Sequence, residues 1–467
     1  MSNPELRGDS FLIVGYGREG KSVHKFLRQR YPHARIGIAD RAGSSPGEER
    51  SENTPVFSGD SYLSSAASFS TVIRSPGVSI REIQPRLGPA THLTSATNIF
   101  FAECPGKIVG ITGTKGKSTT SSLTAAILSK ALPDVRLVGN IGTPMLDLLE
   151  GATPETVFVV ELSSYQLEDL RRSPHISILL NIVPEHLDYH GGLDNYRNAK
   201  LNIARHQHPT DILLFNEGNA LLAESTHSFK GQRRYFRESG SDSALVVVQD
   251  GEIVVQGTTL RISILPVDQL PLLGPGNLQN SLAAITCGVV MGATPDQIRE
   301  GIRSFKPLEH RLEFVAERFG ISFYNDSLST IPEALAHALD ALGDRVETII
   351  AGGFDRGVDM TPVGPALAAS KVRNLILFPT TGEKIWQAAV KANPHGEYKR
   401  IDVDTMEDAV QAAYDLTSPG NVCAMSPASS SFSVFRDYRE RGERFKDAVK
   451  SLSPSARRGD ASAANDS

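Results

Sequence analysis

The chain has 467 residues, 40% hydrophobic and 22% charged, with 48 Lys and Arg against 53 Asp and Glu for a net charge of -5. This is the composition of soluble globular domains, about three of them at ~150 residues each, and it lacks the basic excess of a nucleic-acid binder. No run approaches the ~18 apolar residues of a membrane span, and three scattered cysteines, Cys104, Cys287 and Cys423, without a CxxC pair, argue for a reducing compartment rather than a disulfide framework or structural zinc.

The first ten residues are polar and precede only a short apolar run, which is not a signal peptide. FLIVG (11–15) reads as a strand ending in a glycine turn, 19–30 as a helix, ARIGIAD (34–40) as a second strand and TVIRSPG (71–77) as another. Strands alternating with helices imply a parallel sheet. Gly15-Tyr-Gly17-Arg-Glu-Gly20 opens the first helix, and Asp40 ends the next strand twenty residues beyond Gly20. That is a dinucleotide fingerprint, with the acidic residue placed for a ribose or base. Such a turn also serves other nucleotides or helix packing alone. An NAD-dependent oxidoreductase is therefore one reading of this segment.

A second α/β stretch begins with the strand KIVGIT (107–112), a glycine loop and a helix expected over 117–131. Gly113-Thr114-Lys115-Gly116-Lys117-Ser118-Thr119 is a phosphate-loop variant, GxxGKS, with Ile111 where the usual first glycine stands. Backbone amides and the helix N-terminus would cradle phosphates there, Lys117 would reach the β- and γ-phosphates, and Ser118 would bind Mg²⁺. TVFVVEL (156–162) and ISILLNI (176–182) are buried-strand candidates. Glu161 at the first strand's end suits a Mg²⁺ carboxylate. His186, Asp188 and His190 cluster after the second, and Lys200 follows on a helix. DILLFN and ALVVV mark shorter strands between 211 and 270, and PGNLQNSLAAITCGVVM (275–291) becomes helical.

The third stretch has the strands ISFYND (321–326), ETIIAGG (347–353), NLILFP (374–379) and NVCAMSP (421–427), with HRLEFV (310–315) leading into the first. Several of these strands end in glycine- and serine-rich segments suited to anion binding. The last fifteen residues are small and polar and read as a disordered tail.

GTKGKST (113–119), GNIG (139–142), ELSSYQLE (161–168), EHLD (185–188), Tyr196-x-x-Ala-Lys200, HR (310–311), NDS (325–327) and SPA (426–428) follow one another in an order that resembles the Mur ligases of peptidoglycan precursor synthesis. The resemblance runs from the first glycine loop to RGERF (441–445) and is strongest to members that add glutamate to UDP-N-acetylmuramoyl-L-alanine. It implies an α/β chain of three domains: an N-terminal Rossmann-like domain (1–102) for the UDP-sugar, a central phosphate-loop ATPase domain (103–307), and a C-terminal Rossmann-like domain (308–452) for the amino acid, with a tail at 453–467.

The resemblance also implies ATP and two Mg²⁺ ions, held through Ser118, Glu161, His186 and a carbamylated Lys200. Lys117, Glu161, His186 and Lys200 would be the catalytic set. Asn277, Asn280, Arg311 and Asp326 would join the loop in binding ATP. Gly15, Gly17, Asp40, Ser75 and Asn140 would hold the UDP-sugar, and Arg356 and Ser431 the glutamate. His186 is one candidate for the base that deprotonates the glutamate amine. A monomer in the cytoplasm is expected, with no nucleic-acid partner.

The pattern departs from the family at the glutamate end. NDSLST has Leu328 where a lysine is usual, GGFDRG has Arg356 for a lysine, and Ser433 stands where an Asp is usual. D-glutamate is the family default, and L-glutamate the alternative that these changes raise. Folylpolyglutamate synthases lack a first domain like 11–102. The oxidoreductase reading leaves the second phosphate loop unexplained, and a non-catalytic nucleotide-binding module leaves Lys117, Glu161, His186 and Lys200 without a purpose.

Overall fold

The computed structural model describes residues 3–42, 54–140, 143–239, 241–257, 261–432 and 434–453. Ile141 and Gly142 of GNIG, Ser433 and the tail from 454 onward lie outside the described residues. The chain forms two compact units, Met1–Pro271 with Asn277–Phe305, and Leu272–Gly276 with Lys306–Ser467.

The first unit holds two sheets. One has five parallel strands in the order Val56–Ser58, Arg35–Asp40, Ser10–Val14, Thr71–Arg74, His92–Ser95. Phe11, Leu12, Ile13 and Val14 are all buried, because a central parallel strand is covered on both faces and reads as a continuous apolar run. The turn after it lies where the strand order reverses direction, the usual ligand crevice of an open α/β sheet. Gly20 sits so close to this turn that a Cβ would lie 2.2 Å from the Gly15 carbonyl oxygen. The expected helix over 19–30 is Arg18–Arg30.

The other sheet has nine strands. Lys107–Thr112 lies between Val157–Glu161 and Ile176–Leu179. Outward from these come Val135–Gly139 on one side and Ile212–Asn216, Gln232–Arg237 and Val246–Gln249 on the other, all parallel. Glu252–Gln256 and Arg261–Pro266 then add an antiparallel edge. The phosphate-loop helix runs Lys117–Leu128, three residues shorter than expected. The expected helix over 275–291 is Pro275–Val290.

The two sheets share one apolar core, in which the Phe100 and Phe158 rings meet edge to face at 5.2 Å. A polar seam also ties them. Arg74, at the end of its strand and 1% exposed, gives Asp169 Oδ1 a 2.7 Å ion pair and donates to the Tyr165 carbonyl at 2.7 Å. Asn98 Nδ2 donates to the Asp169 carbonyl at 2.9 Å, and the Tyr189 hydroxyl donates to the Pro76 carbonyl at 2.9 Å.

The second unit is a six-stranded sheet in the order Glu313–Arg318, Ile321–Asn325, Val422–Met425, Val346–Gly352, Asn374–Phe378, Lys399–Asp402. Only the first pair is antiparallel. Glu313–Arg318 is therefore a strand of its own, where the sequence reading treated HRLEFV as a lead-in. Its Phe314 is 54% exposed on an edge, so no apolar alternation marks it. The helix Tyr438–Ser451, capped by Asp437, buries Phe445 and Val449 against this sheet.

Replacing Asp169 with Ala leaves the buried Arg74 cation with only the Glu168 carboxylate, 3.9 Å away, as a partner. We expect a loss of about 3–5 kcal/mol from the first unit, read as a lower urea midpoint by tryptophan-independent far-UV circular dichroism. A loss below about 1 kcal/mol, the range of a surface pair, would show that the seam contributes little.

Candidate active site

Every element of the phosphate loop is braced from behind. Gly116 has φ 85°, a value open to glycine at little cost, and a Cβ there would lie 2.1 Å from Asn280 Oδ1. Thr114 N–H donates to the Asn181 carbonyl at 2.9 Å and Lys115 N–H to Asn181 Oδ1 at 2.9 Å. The Thr114 hydroxyl pairs with the Tyr196 hydroxyl at 2.8 Å and accepts from Val183 N–H at 3.0 Å. The loop is thus fixed to the chain that leaves Ile176–Leu179, and it ends at a helix N-terminus whose first-turn amides and dipole favour an anion. Lys117 opens that helix, followed by Ser118, half-buried, and Thr119, buried.

Two lysines converge on one loop carbonyl. Lys117 Nζ donates to Gly113 O at 3.0 Å and to Thr114 O at 2.9 Å. Lys200, buried on the helix Leu193–Arg205, donates to the same Gly113 O at 2.7 Å, with its Nζ 4.9 Å from the Tyr196 ring centre. Burial first, then the neighbouring Lys117 and Lys115, hold the Lys200 amine well below its ordinary range, against the opposing pull of Glu185 and Glu161. Glu185 in turn pairs with Lys115 at 2.8 Å.

Glu161 ends its strand fully buried, in register with Ile111. Its Oε1 accepts from Asn140 Nδ2 at 2.8 Å, while Oε2 is buried with no hydrogen-bond partner. An orphaned carboxylate oxygen beside a phosphate loop fits a hard cation such as Mg²⁺, which takes oxygen ligands. Asn140, expected among the UDP-sugar contacts, has its amide on this carboxylate, and its N–H donates to the Glu161 carbonyl at 3.0 Å.

His186 stands exposed at φ 56°, capping the short helix Leu187–His190, with Nε2 3.7 Å from Glu185 Oε2. Burial and the lysines Lys117, Lys200 and Lys115 lower its pKa against Glu185, which keeps the imidazole neutral and able to ligate or accept a proton. His190 of the same cluster is different. It is buried, bonded to Ser164 Oγ at 3.0 Å, stacked on Tyr165 and lowered to about 4, so it is a packed histidine. Asp188 is exposed. Asn280 is bonded through Nδ2 to Asn277 Oδ1 at 3.2 Å and accepts from Thr120 Oγ1 at 3.3 Å, so this pair sits directly under the loop.

At the first sheet, Asp40 Oδ2 accepts from Tyr16 N–H at 2.7 Å and Ser75 Oγ donates to the Gly15 carbonyl at 2.7 Å. Both expected residues therefore shape the glycine turn, and the space around Gly17 Cα is open. Glu19 of this turn accepts from Gln166 Nε2 at 2.7 Å, while Gln166 Oε1 accepts from Ser163 N–H at 3.0 Å, two residues past Glu161. Gln166, Asn181, Glu185 and Tyr196 were not singled out by the sequence reading, although each lies in a motif it quoted.

In the second unit, Asp326 is buried and accepts from Leu312 N–H at 3.2 Å and Ser426 Oγ at 2.8 Å; burial pushes it up to about 6 against these bonds and Arg311. Arg311 is half-buried next to His310, whose Nδ1 lies 2.9 Å from Asn325 Nδ2. Arg356 is exposed and donates to the Thr330 carbonyl at 3.2 Å, Leu328 is half-buried, and Ser431 is buried. Glu309, His310 and Glu443 could geometrically face a metal, but the Lys446 ammonium already stands 2.8 Å from Glu443 and supplies a cation there.

Residues 111–288 match the Mur ligase middle domain and residues 310–429 the Mur ligase, glutamate ligase domain. A UDP-N-acetylmuramoylalanine--D-glutamate ligase of Caldicellulosiruptor bescii is 32% identical over 96% of this chain and 99% of its own length. That of Acetivibrio thermocellus is 34% identical over 84% of this chain and 85% of its own. Among solved structures, the MurF ligase of Thermotoga maritima in complex with ADP aligns with a TM-score of 0.56 at 18% identity, covering 96% of this chain and 97% of that one. MurC of the same organism gives 0.56 at 16% identity, over 95% and 99%. The structures share the fold, and the sequence relatives, matched nearly end to end above 30% identity, share more: this chain belongs to the Mur ligase family.

Proposed function

We propose that this chain joins glutamate to the alanyl carboxylate of UDP-N-acetylmuramoyl-L-alanine, at the expense of ATP, as a cytoplasmic monomer in peptidoglycan precursor synthesis. Residues 1–102 hold the UDP-sugar through the Gly15–Gly20 turn, Asp40 and Ser75. Residues 103–307 hold ATP, and residues 308–452 hold glutamate through Arg356 and Ser431, with Arg311 and Asp326 on the nucleotide. The observation that carries this reading is the pairing of a low-pKa amine with an orphaned carboxylate at one phosphate loop: Lys200 on Gly113 O, and Glu161 Oε2 without a partner.

In the first step a substrate carboxylate oxygen bonds to the γ-phosphorus and ADP leaves, giving an acyl phosphate. In the second, the glutamate nitrogen bonds to the acyl carbon and inorganic phosphate leaves with the former carboxylate oxygen. The ammonium of glutamate gives up two protons in becoming the amide N–H. Two anions meet in the first step, so positive charge must be supplied before reaction. Lys117 supplies part of it from the loop. Ser118, Glu161, His186 and a carbamate on Lys200 are the groups that would hold two Mg²⁺ ions, which neutralise the charge developing on the transferring phosphoryl group.

The amine's state supports the carbamate. A neutral Lys200 Nζ adds to the carbon of CO₂ and releases one proton, turning a desolvated amine into an anion able to ligate a metal. An ammonium lacks the lone pair for this addition, so a depressed pKa is the requirement. D-glutamate is the hand named for the relatives. A second reading, L-glutamate, is favoured by Leu328 and Arg356, which reshape the end of the site where the hand would be sensed.

Phosphate release with ATP, Mg²⁺ and UDP-N-acetylmuramoyl-L-alanine, run with D- and L-glutamate separately, tests both readings. Turnover with one isomer assigns the hand, and no turnover with either contradicts the function. Replacing Lys200 with Ala should lower kcat by about 10²–10³, the scale of losing a preorganised electrostatic group. Acetate or propionate should restore part of that. A carbamate signal from ¹³CO₂ by NMR should be present in the parent enzyme and absent in the variant; equal activity or equal signal in both would refute the assignment.

A further inference from the structure

Arg441 is among the largest fully buried side chains, 1% exposed, on the helix Tyr438–Ser451. Its guanidinium donates from Nε to Ser327 Oγ at 3.0 Å, from Nη2 to the Ser327 carbonyl at 2.9 Å and from Nη1 to the Ser429 carbonyl at 3.0 Å. All three acceptors are neutral. Among the described residues no carboxylate lies within ion-pair distance of it, and the nearest one it feels, Asp326, is bonded to Leu312 N–H and Ser426 Oγ. Burying a cation without a paired carboxylate is unfavourable, so this charge is an anomaly of the second unit. Burial lowers the guanidinium to about 9, which leaves it cationic at neutral pH.

Its position supplies a use. Ser327 adjoins Leu328, and Ser429 lies two residues before Ser431. A Cβ on Gly353, three residues before Arg356, would come within 3.4 Å of Nη1. The guanidinium therefore lies behind all three segments that carry the residues assigned to glutamate. Two of these segments are also tied to each other: Phe354 N–H donates to the Ser430 carbonyl at 2.8 Å, and the Thr381 hydroxyl bridges them, 3.1 Å from the Gly353 carbonyl and 2.6 Å from Ser429 Oγ. Glutamate brings two carboxylates. Arg356 offers one cation on the exposed side, and Leu328 offers none.

We propose that Arg441 is the second counter-charge for glutamate, acting through the field of its unpaired cation on a substrate carboxylate at the Leu328–Ser431 side of the pocket. It is a positioning and specificity residue that does not touch substrate. The inference rests on the reading of the second unit as the glutamate-binding domain. A field in a poorly solvated site is strong because little water screens it, and the rigid fork keeps its origin fixed.

The test uses the full-length enzyme with the glutamate isomer that it turns over. Arg441→Met, which removes the charge at similar volume, should raise the glutamate KM about tenfold, with the KM for ATP and for the UDP-substrate unchanged within about twofold. Arg441→Lys, which keeps charge and loses the fork, should recover most of that loss. Leu328→Lys, which adds a cation to the same pocket without disturbing Arg441, should lower the glutamate KM. A uniform rise in all three KM values, or a lysine variant no better than methionine, overturns the proposal. If the methionine variant fails to fold, an unchanged or raised glutamate KM in Leu328→Lys overturns it alone. Absence of glutamate-dependent turnover in the parent enzyme would instead refute the functional reading beneath it.

Discussion

The site is organised by a repulsion. Lys117 and Lys200 donate to the same Gly113 carbonyl, so their nitrogens are at most about 6 Å apart, and two full charges at that distance would repel by roughly 3 kcal/mol at an effective dielectric of about 20. Lys200 is the buried partner, and burial together with the nearby Lys117 lowers its pKa well below the ordinary lysine range. Two lysines thus meet at one loop carbonyl, and burial rather than residue type sets Lys200 apart from Lys117. A lowered pKa favours the neutral amine that conversion to an anion requires, and an anion there would stand beside the same phosphate loop as the orphaned oxygen of Glu161.

A second organising feature is the polar seam between the first sheet and the central one. Gln166 accepts from Ser163 N–H, close to Glu161, and donates to Glu19 on the first glycine turn. Tyr189, three residues past His186, donates to Pro76 in the segment following Ser75. Hydrogen bonds therefore join the segment of the turn assigned to the UDP-sugar to chain segments that flank Glu161 and His186. Buried hydrogen bonds restrict relative position, and here they join the two sheets of the first unit next to both assigned sites.

Much of this was legible in the sequence because parallel strands declare themselves. FLIV, KIVGIT, VFVVE and NLILF are continuous apolar runs, and each is a strand within a residue or two of its expected bounds. Strands at the antiparallel margins were harder to delimit. Glu313–Arg318 and the antiparallel Glu252–Gln256 and Arg261–Pro266 mix exposed and buried residues, and their pairing, not their composition, makes them strands. In the site, glycine spacing and the order of motifs located the loop, Glu161, His186 and Lys200. What spacing could not convey is which polar atoms are already engaged. Asn140 bonded to Glu161, Asn280 beneath Gly116, and Arg441 bonded to Ser327 are consequences of tertiary packing across 21, 164 and 114 residues of sequence.

The central claim is that the loop's γ-phosphate goes to a carboxylate. Its most direct test is isotopic: UDP-N-acetylmuramoyl-L-alanine labelled with ¹⁸O in the alanyl carboxylate is turned over with ATP and glutamate, and the released phosphate is examined by mass spectrometry. The account predicts one ¹⁸O atom transferred to phosphate per turnover. Phosphate free of label, formed at the rate of amide synthesis, would contradict it.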